Sequence, residues 1–478
     1  MLKVNRDDKR PIWQQLLEQA IHNITTGKWP PGELLPPSRE LALLVGVSRS
    51  TIQIVYEELF SRGYTVTNRR SGTRVSEWGY KNGSSGSEEV ISRGSSMPKL
   101  PLLNSAVDQL HDWLRDIEKK NVEIDFCPHE PYLDEHFQKY WRQSFLQVSS
   151  KADLASWGYG DAYGFVPLRE QIQRYLTFER EIYVDIDQII LTSGAQQSID
   201  LIAQALLHEG ETVSVEDPGF PAAWMTLKYR GMSIAPVPVD EYGLKVDCIH
   251  QQSKLVYVTP SHQCAVGVIM SESRKQQLLH MAVQNKFWIV EDDYDGEFKY
   301  RGNPLPTLFS EQPQNTLYMM SFSKMIAPGI RISAIVGPRE AIRQIVQVRE
   351  LTSRHLPIME QLTLAHFMKH GHFMRHMRRK RIVYRRRHEA MKRAIIKSGL
   401  SERFKLSYIE TGLHMLLEAE ESFDEEAATY RALDSGIRIY PLSTYCICSN
   451  RKGWVLGFAK VDEAAIEEGI YRLAEMLL

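Results

Sequence analysis

The densest chemistry in the chain lies at Ser321-Phe322-Ser323-Lys324, a few residues before Ala327-Pro328-Gly329-Ile330-Arg331. An apolar β-type run at 316–319 comes just ahead of it, so Lys324 falls at a strand end. An amine held there and partly desolvated loses pKa and becomes a nucleophile able to condense with an aldehyde. Ser321 and Arg331 add a hydroxyl and a fixed cation for a phosphate beside that amine. A Ser-x-Ser-Lys motif alone says little, because serine and lysine are common on surface loops, but four further pieces raise its weight. Asp292 follows an apolar run at 287–290, 32 residues before Lys324, where a carboxylate can keep a pyridine nitrogen protonated and the ring an electron sink. Tyr294 can hydrogen-bond a ring oxygen. Ser193-Gly194-Ala195-Gln196-Gln197 lies between strand and helix, where the backbone N–H groups of Ala195 and Gln196 and the helix dipole bind phosphate. Phe220, after the run at 212–215, can stack on a ring. Together these residues fit pyridoxal 5′-phosphate.

A second constellation lies near the N-terminus. Ser38-Arg39-Glu40-Leu41-Ala42-Leu43-Leu44-Val45-Gly46-Val47-Ser48-Arg49-Ser50-Thr51 reads as a short helix, a glycine turn and a second helix capped by Ser48. This is helix-turn-helix punctuation, whose second helix enters the major groove. Arg49 can make a bidentate contact to guanine, while Ser48, Ser50 and Thr51 can reach phosphates or base edges. Arg39 is placed for a backbone phosphate. Asn68-Arg69-Arg70-Ser71-Gly72-Thr73, between two short β-type runs, supplies a basic turn, with Arg69, Arg70 and Gly72 at the minor groove. Operator DNA is the implied partner.

The elements that must position these groups follow from the apolar periodicity. It predicts helices over 12–26, 38–44 and 48–60 and strands over 64–67 and 72–75, a winged helix within 1–78. The stretch 79–104 opens with a Gly/Ser-rich run and reads as a flexible linker. From 105 to 478, helical stretches alternate with short apolar runs at 188–191, 212–215, 255–258, 287–290 and 316–319. That is the signature of an α/β body with a mainly parallel sheet. The 478 residues exclude a single small module, and 43% hydrophobic residues exclude wholesale disorder. With 58 Lys+Arg against 59 Asp+Glu there is no global field, so a nucleic-acid surface must be local. Residues 1–78 carry eleven Lys/Arg against eight Asp/Glu, an excess of three that calls for two copies to bind tightly. Five scattered cysteines without a CxxC pair point to a reducing cytoplasm and no metal. The charged N-terminus and the lack of a long apolar run point away from a secretory signal or membrane span.

The run from Ile12 through Thr25-Thr26-Gly27-Lys28-Trp29-Pro30-Pro31-Gly32-Glu33-Leu34-Leu35-Pro36 to Ser71-Gly72-Thr73 closely resembles the winged-helix domain of GntR-type transcription regulators. Tyr159-Gly160-Asp161-Ala162-Tyr163-Gly164, followed in order by the site motifs above, resembles fold-type-I aminotransferases over about 120–478. Their union is similar to the MocR subfamily of bacterial regulators. The resemblance implies a PLP-dependent, ligand-responsive transcription regulator whose aminotransferase-like domain senses pyridoxal phosphate or an amino compound. It also implies a domain-swapped homodimer. The alternative is an active aminotransferase with an accessory DNA-binding domain. Departures bear on that choice. Cys264-Ala265-Val266-Gly267 replaces the usual Asn and Pro-Thr-Gly turn, leaving Tyr294 alone on the ring oxygen, and Ala195 replaces a hydroxyl residue. Lys460 stands where the family's substrate-carboxylate arginine is expected, and Ala222 where its GABA-responsive member has a second. A simple amino acid effector would then be held weakly and transaminated slowly, which leaves the cofactor itself, or an amine whose acid group lies elsewhere, as the expected signal. Two more features stand out. The basic stretch 375–393 is expected to be a solvated helix paired with acidic segments such as 418–426, and His262 a polar turn residue.

Overall fold

Residues 2–6, 8, 10–68, 72–77, 120–151, 158–300, 305–407 and 410–478 are described by a computed structural model. The chain divides into two compact units, Met1–Leu100 and Pro101–Leu478. The expected linker over 79–104 lies outside the described residues.

In the first unit, Ile12–Thr25, Ser38–Val45 and Arg49–Ser61 are helices, and Thr65–Asn68 pairs antiparallel with Gly72–Val75. Ser48 caps the third helix, its hydroxyl accepting from the Thr51 amide at 3.2 Å, which satisfies one of the orphan donors of the first turn. Gly46 ends the preceding helix at φ +72°, a left-handed conformation that glycine adopts without Cβ strain. Ile52, Val55 and Leu59 line one face of the third helix and bury against Leu16, Leu17 and Ile24 of the first.

The second unit is built on an eight-stranded sheet. In spatial order its strands are Ile189–Thr192, Ser333–Val336, Thr316–Ser321, Trp288–Asp293, Ser253–Val258, Thr212–Asp217, Ser233–Asp240 and Gly243–Leu244. Ser333–Val336 and Gly243–Leu244 run antiparallel to their neighbours, and every other pair is parallel. Along Thr316–Ser321 the alternation is plain: Leu317 and Met319 enter one core, Tyr318 and Met320 the other. Burial on both faces is why these strands read as unbroken apolar runs. A smaller antiparallel sheet, Lys405–Ser407, His414–Ala419, Lys452–Gly457 and Tyr440–Pro441, forms a C-terminal lobe. Ile124–Asp125 pairs parallel with Ile437–Arg438, so the start of this unit joins its end. The fold is thus a small winged domain plus an α/β body with a mixed, mainly parallel sheet. No helix among the described residues is long and apolar enough to cross a membrane.

Candidate functional site

Five parallel strands end around one cavity of about 330 Å³, at the carboxyl edge where open α/β sheets receive ligands. Lys324 enters it from the turn after Thr316–Ser321, its ammonium donating to the His129 carbonyl. Burial lowers the Lys324 pKa, with Cys127, Cys264, Asp295 and Asp292 pulling the other way. Asp292 closes another side from the end of Trp288–Asp293, 3% exposed. One of its carboxylate oxygens accepts from the Tyr257 hydroxyl, and the other has no hydrogen-bond partner among the described residues. Burial pushes its pKa up to about 7, against the Tyr257 hydrogen bond and with a further rise from Asp293 and Asp295. A buried, unpartnered carboxylate oxygen is costly, and a cationic N–H brought into the cavity would satisfy it.

The opposite end suits an anion. The helix Ala195–Leu206 begins at Gly194 with no side-chain cap, so the amides of Ala195 and Gln196 remain as first-turn donors beside the cavity. Gly194 has φ +137°, and a Cβ there would lie 2.6 Å from Arg331 Nη2. Glycine therefore lets the guanidinium close over the loop. Ser321 Oγ accepts from the Ser323 amide at 3.3 Å and the Ser333 hydroxyl at 3.0 Å, which leaves its own hydrogen to donate. Phe220 lines the cavity from the segment after Thr212–Asp217, and Tyr294 from beyond Asp293. Pyridoxal phosphate fits this donor set, with ring nitrogen toward Asp292 and phosphate toward the helix start and Arg331.

Eight residues singled out from sequence thus share one cavity: Lys324, Asp292, Tyr294, Ser321, Arg331, Phe220, Ala195 and Gln196. Lys460 is not among its lining residues. It is exposed and paired with Asp125 at 3.1 Å and Glu130 at 2.6 Å, neutralised in a surface cleft with Arg438. His262 departs from its expected role as a polar turn residue. It is 1% exposed, its Nδ1 lying 2.8 Å from Asp295 and 3.1 Å from the Tyr294 hydroxyl. His262, Asp295 and His414 each bring one ligand atom, and the three lie within 4.8 Å of one another. Sequence reasoning missed His129, Tyr257 and Thr259, all lining the cavity. Tyr257 carries no local signal inside its apolar strand, whereas His129, in a Pro128-flanked turn after Asp125, could have been found as a strand-end polar group.

The basic stretch 375–393 lies within the helix His372–Lys397. Three of its arginines pair outside 418–426: Arg379 with Asp134, Arg381 with Glu179 and Glu297, and Arg386 with Glu463. Nor is it wholly solvated. Lys380 is 2% exposed and donates to the carbonyl of Ile326 at 3.0 Å, because the helix packs against the segment that carries Lys324.

On the winged unit, Arg39, Ser48, Arg49, Ser50 and Gly72 are exposed and Thr51 half-buried. Arg39 and Arg49 form no ion pair with a described residue. Ser48 Oγ lies 2.8 Å from Ser50 Oγ and 2.7 Å from Thr51 Oγ1, so these hydroxyls cluster at the start of the recognition helix. Arg69 and Arg70 lie outside the described residues.

Residues 14–75 match the family model for bacterial regulatory proteins of the gntR family, and residues 126–473 that for aminotransferase class I and II. The chain is 32% identical to the HTH-type transcriptional regulator YdeL of Bacillus subtilis, over 98% of this chain and 97% of that one. It is 28% identical to the probable rhizopine catabolism regulatory protein MocR of Rhizobium meliloti, over 100% and 96%. A crystal structure of Pyrococcus horikoshii kynurenine aminotransferase, in complex with PMP, superposes with TM-score 0.71 at 28% identity, covering 79% of this chain and 96% of that one. Class I and II aminotransferase folds typically bind pyridoxal phosphate. With a gntR-family DNA-binding domain at one end, an aminotransferase domain at the other and full-length relatives that are regulators, this chain belongs to the MocR-type transcription regulators.

Proposed function

We propose that the large domain of this regulator binds pyridoxal phosphate at Lys324 and uses it to sense an amino compound, so that occupancy of the cavity alters operator binding by the winged domain. The observation that carries the reading is the unpartnered oxygen of Asp292, buried in the same cavity as the Lys324 amine. When bound, the cofactor supplies an aldehyde for that amine and a ring that withdraws electrons. This chain's residues do the rest. Asp292 accepts the ring N–H, and Tyr257 holds Asp292 in place. Ala195, Gln196, Ser321 and Arg331 neutralise the phosphate, Phe220 covers the ring, and Tyr294 donates to the ring oxygen. Arg39, Arg49, Ser48, Ser50, Thr51, Gly72, Arg69 and Arg70 form the DNA surface, and the protein acts as a domain-swapped homodimer in the cytoplasm. In this reading the stretch 79–104 links a DNA-binding domain over 1–78 to an effector and dimerisation domain over 105–478.

Turnover as an aminotransferase is slow in this reading. Among the residues lining the cavity, Lys324 and Arg331 are the lysine and arginine, and both are committed to the cofactor. A substrate carboxylate therefore lacks the planar, bidentate grip that fixes orientation, and Lys460, already paired, does not replace it. Borohydride reduction of cofactor-loaded protein followed by peptide mapping tests the assignment. The pyridoxyl label should sit on Lys324; a label on another lysine, or none, overturns it.

A further inference from the structure

The departure at Cys264 leaves Tyr294 without the usual amide neighbour, yet its hydroxyl is not alone. It lies 3.1 Å from His262 Nδ1, and the same nitrogen lies 2.8 Å from Asp295 Oδ2. One ring nitrogen carries either a hydrogen or a lone pair, and which it carries is set by its neighbours. With the hydrogen on Nδ1, the nearer carboxylate takes it, and the Tyr294 hydroxyl hydrogen is free to point into the cavity. With a lone pair on Nδ1, Tyr294 can donate to it, and the same hydrogen turns away from the cavity. The imidazole therefore decides which way a cavity-lining hydroxyl donates.

Packing keeps the imidazole at that task. His262 is 1% exposed and Asp295 fully buried. Gly412, at φ +76°, lies so near the ring that a Cβ there would fall 2.0 Å from His262 Cε1. The His414 ring lies tilted against it, 4.6 Å between centroids and 41° between planes, and its Nε2 has no hydrogen-bond partner among the described residues. Burial holds His414 neutral, helped by His262, His129 and Lys324. Burial raises the Asp295 carboxyl, opposed mainly by its contact with His262 and raised further by Asp293. Asp293 itself is engaged by Arg180, Tyr318 and Ser261. Asp295 is thus the carboxyl group in hydrogen-bonding contact with Nδ1, and Tyr294 shares that nitrogen with it.

We propose that His262, held by Asp295, is a positioning residue that directs the Tyr294 hydroxyl hydrogen into the cavity, and so sets the bond that Tyr294 makes to the ring oxygen of the cofactor. The proposal rests on the cofactor reading above. A hydroxyl donated to that oxygen stabilises its deprotonated form, so losing or misdirecting the bond raises the pH midpoint of the cofactor's visible band.

The test titrates that band in full-length protein loaded with pyridoxal phosphate: the parent, His262→Gln, Tyr294→Phe and the double variant. Both single variants should raise the midpoint, by roughly one pH unit for a lost hydrogen bond of ordinary strength. In the Tyr294→Phe background His262→Gln should add nothing, because the imidazole acts only through the hydroxyl. Thermal midpoints should fall by the same amount in both backgrounds, which separates packing from positioning. Equal spectral shifts in the two backgrounds, or no shift when Tyr294 is present, would overturn the proposal. Should His262→Gln not fold, Asp295→Asn serves: it replaces the carboxyl oxygen that accepts the Nδ1 hydrogen and should raise the midpoint too, again only with Tyr294 present. Stoichiometric zinc that survives purification would make His262 a ligand with Asp295 and His414, and would also overturn it. A parent protein that gains no visible band and no label on Lys324 overturns the cofactor reading itself, an outcome distinct from equal shifts in labelled protein.

Discussion

The winged unit and the aminotransferase-fold unit put their chemistry in opposite environments. In the first, Arg39, Ser48, Arg49 and Ser50 stand in water on one helix-turn-helix, and the hydrogen bonds of the two serines are local, within three residues at the start of one helix. In the second, Lys324, Asp292, Tyr257 and Tyr294 meet inside a cavity, and burial is the largest influence on each of their pKa values. Water screens the first set, so each side chain acts nearly alone and additively. The second set shares a low-dielectric space, where moving one proton changes all the others. Substitutions in the recognition helix should therefore cost discrete amounts of binding, whereas those in the cavity should abolish a function or shift its pH dependence.

The largest effect expected is at Lys324. Lys324→Ala should eliminate borohydride-trapped cofactor while leaving the thermal unfolding midpoint near that of the cofactor-free parent, because the side chain is only half-buried and its hydrogen bond is to one carbonyl. Collapse of the fold would place Lys324 in the structural core instead. Next comes Arg49. Its truncation to alanine should weaken specific operator binding by about 1–3 kcal/mol, the cost of a lost bidentate base contact. Arg39→Ala should weaken binding to all sequences alike and reduce the salt slope by about one. Unchanged footprints and salt slopes in both would move the recognition surface elsewhere.

A pH effect sharpens the contrast further. The Asp292 carboxyl is raised from 3.8 to about 7 in the folded state. Between those values the native state holds a proton that the unfolded chain has released, so its contribution to stability falls as pH rises through the window. Replacing it with the neutral Asp292→Asn should make the slope of unfolding free energy against pH less negative in cofactor-free protein. Urea titrations at about pH 5, 6 and 7, inside that window, measure this, and parallel slopes would mean that the carboxylate is solvated. The smallest effect is at Ser48, where alanine should cost the winged unit about 1 kcal/mol of helix capping. Circular dichroism of the melting transition would register it, and an unchanged transition would mean that the Ser48 hydroxyl does not cap the helix in solution.

The same contrast explains what the sequence made legible. Capping by Ser48 and the turn at Gly46 are local, and the expected helices over 38–44 and 48–60 fall within a residue of Ser38–Val45 and Arg49–Ser61. The apolar runs marked the sheet because both its faces are buried, and polar residues just beyond them marked Lys324 and Asp292. Tyr257 escaped, since its place at the site depends on which strands become neighbours, and pairing across the sheet leaves no trace in spacing, whereas His129, just beyond Ile124–Asp125, carried the same strand-end signal as Asp292. Lys460 was placed by family likeness alone, and its position follows instead from Asp125 and Glu130, which hold it outside the cavity lining. His262 escaped for a third reason: a polar residue in a Pro-Ser-His-Gln turn reads as solvated unless the carboxylate that buries it is known.

The central claim is that one chain couples the two environments. It is tested most directly by measuring operator affinity of the parent and of Lys324→Ala, with and without pyridoxal phosphate and a candidate amine, beside keto-acid production in the same samples. Affinity that changes with cofactor or amine in the parent, stays fixed in Lys324→Ala and is accompanied by negligible turnover is the predicted result. Rapid multiple turnovers with ordinary amino acids, at an operator affinity indifferent to both ligands, would contradict it.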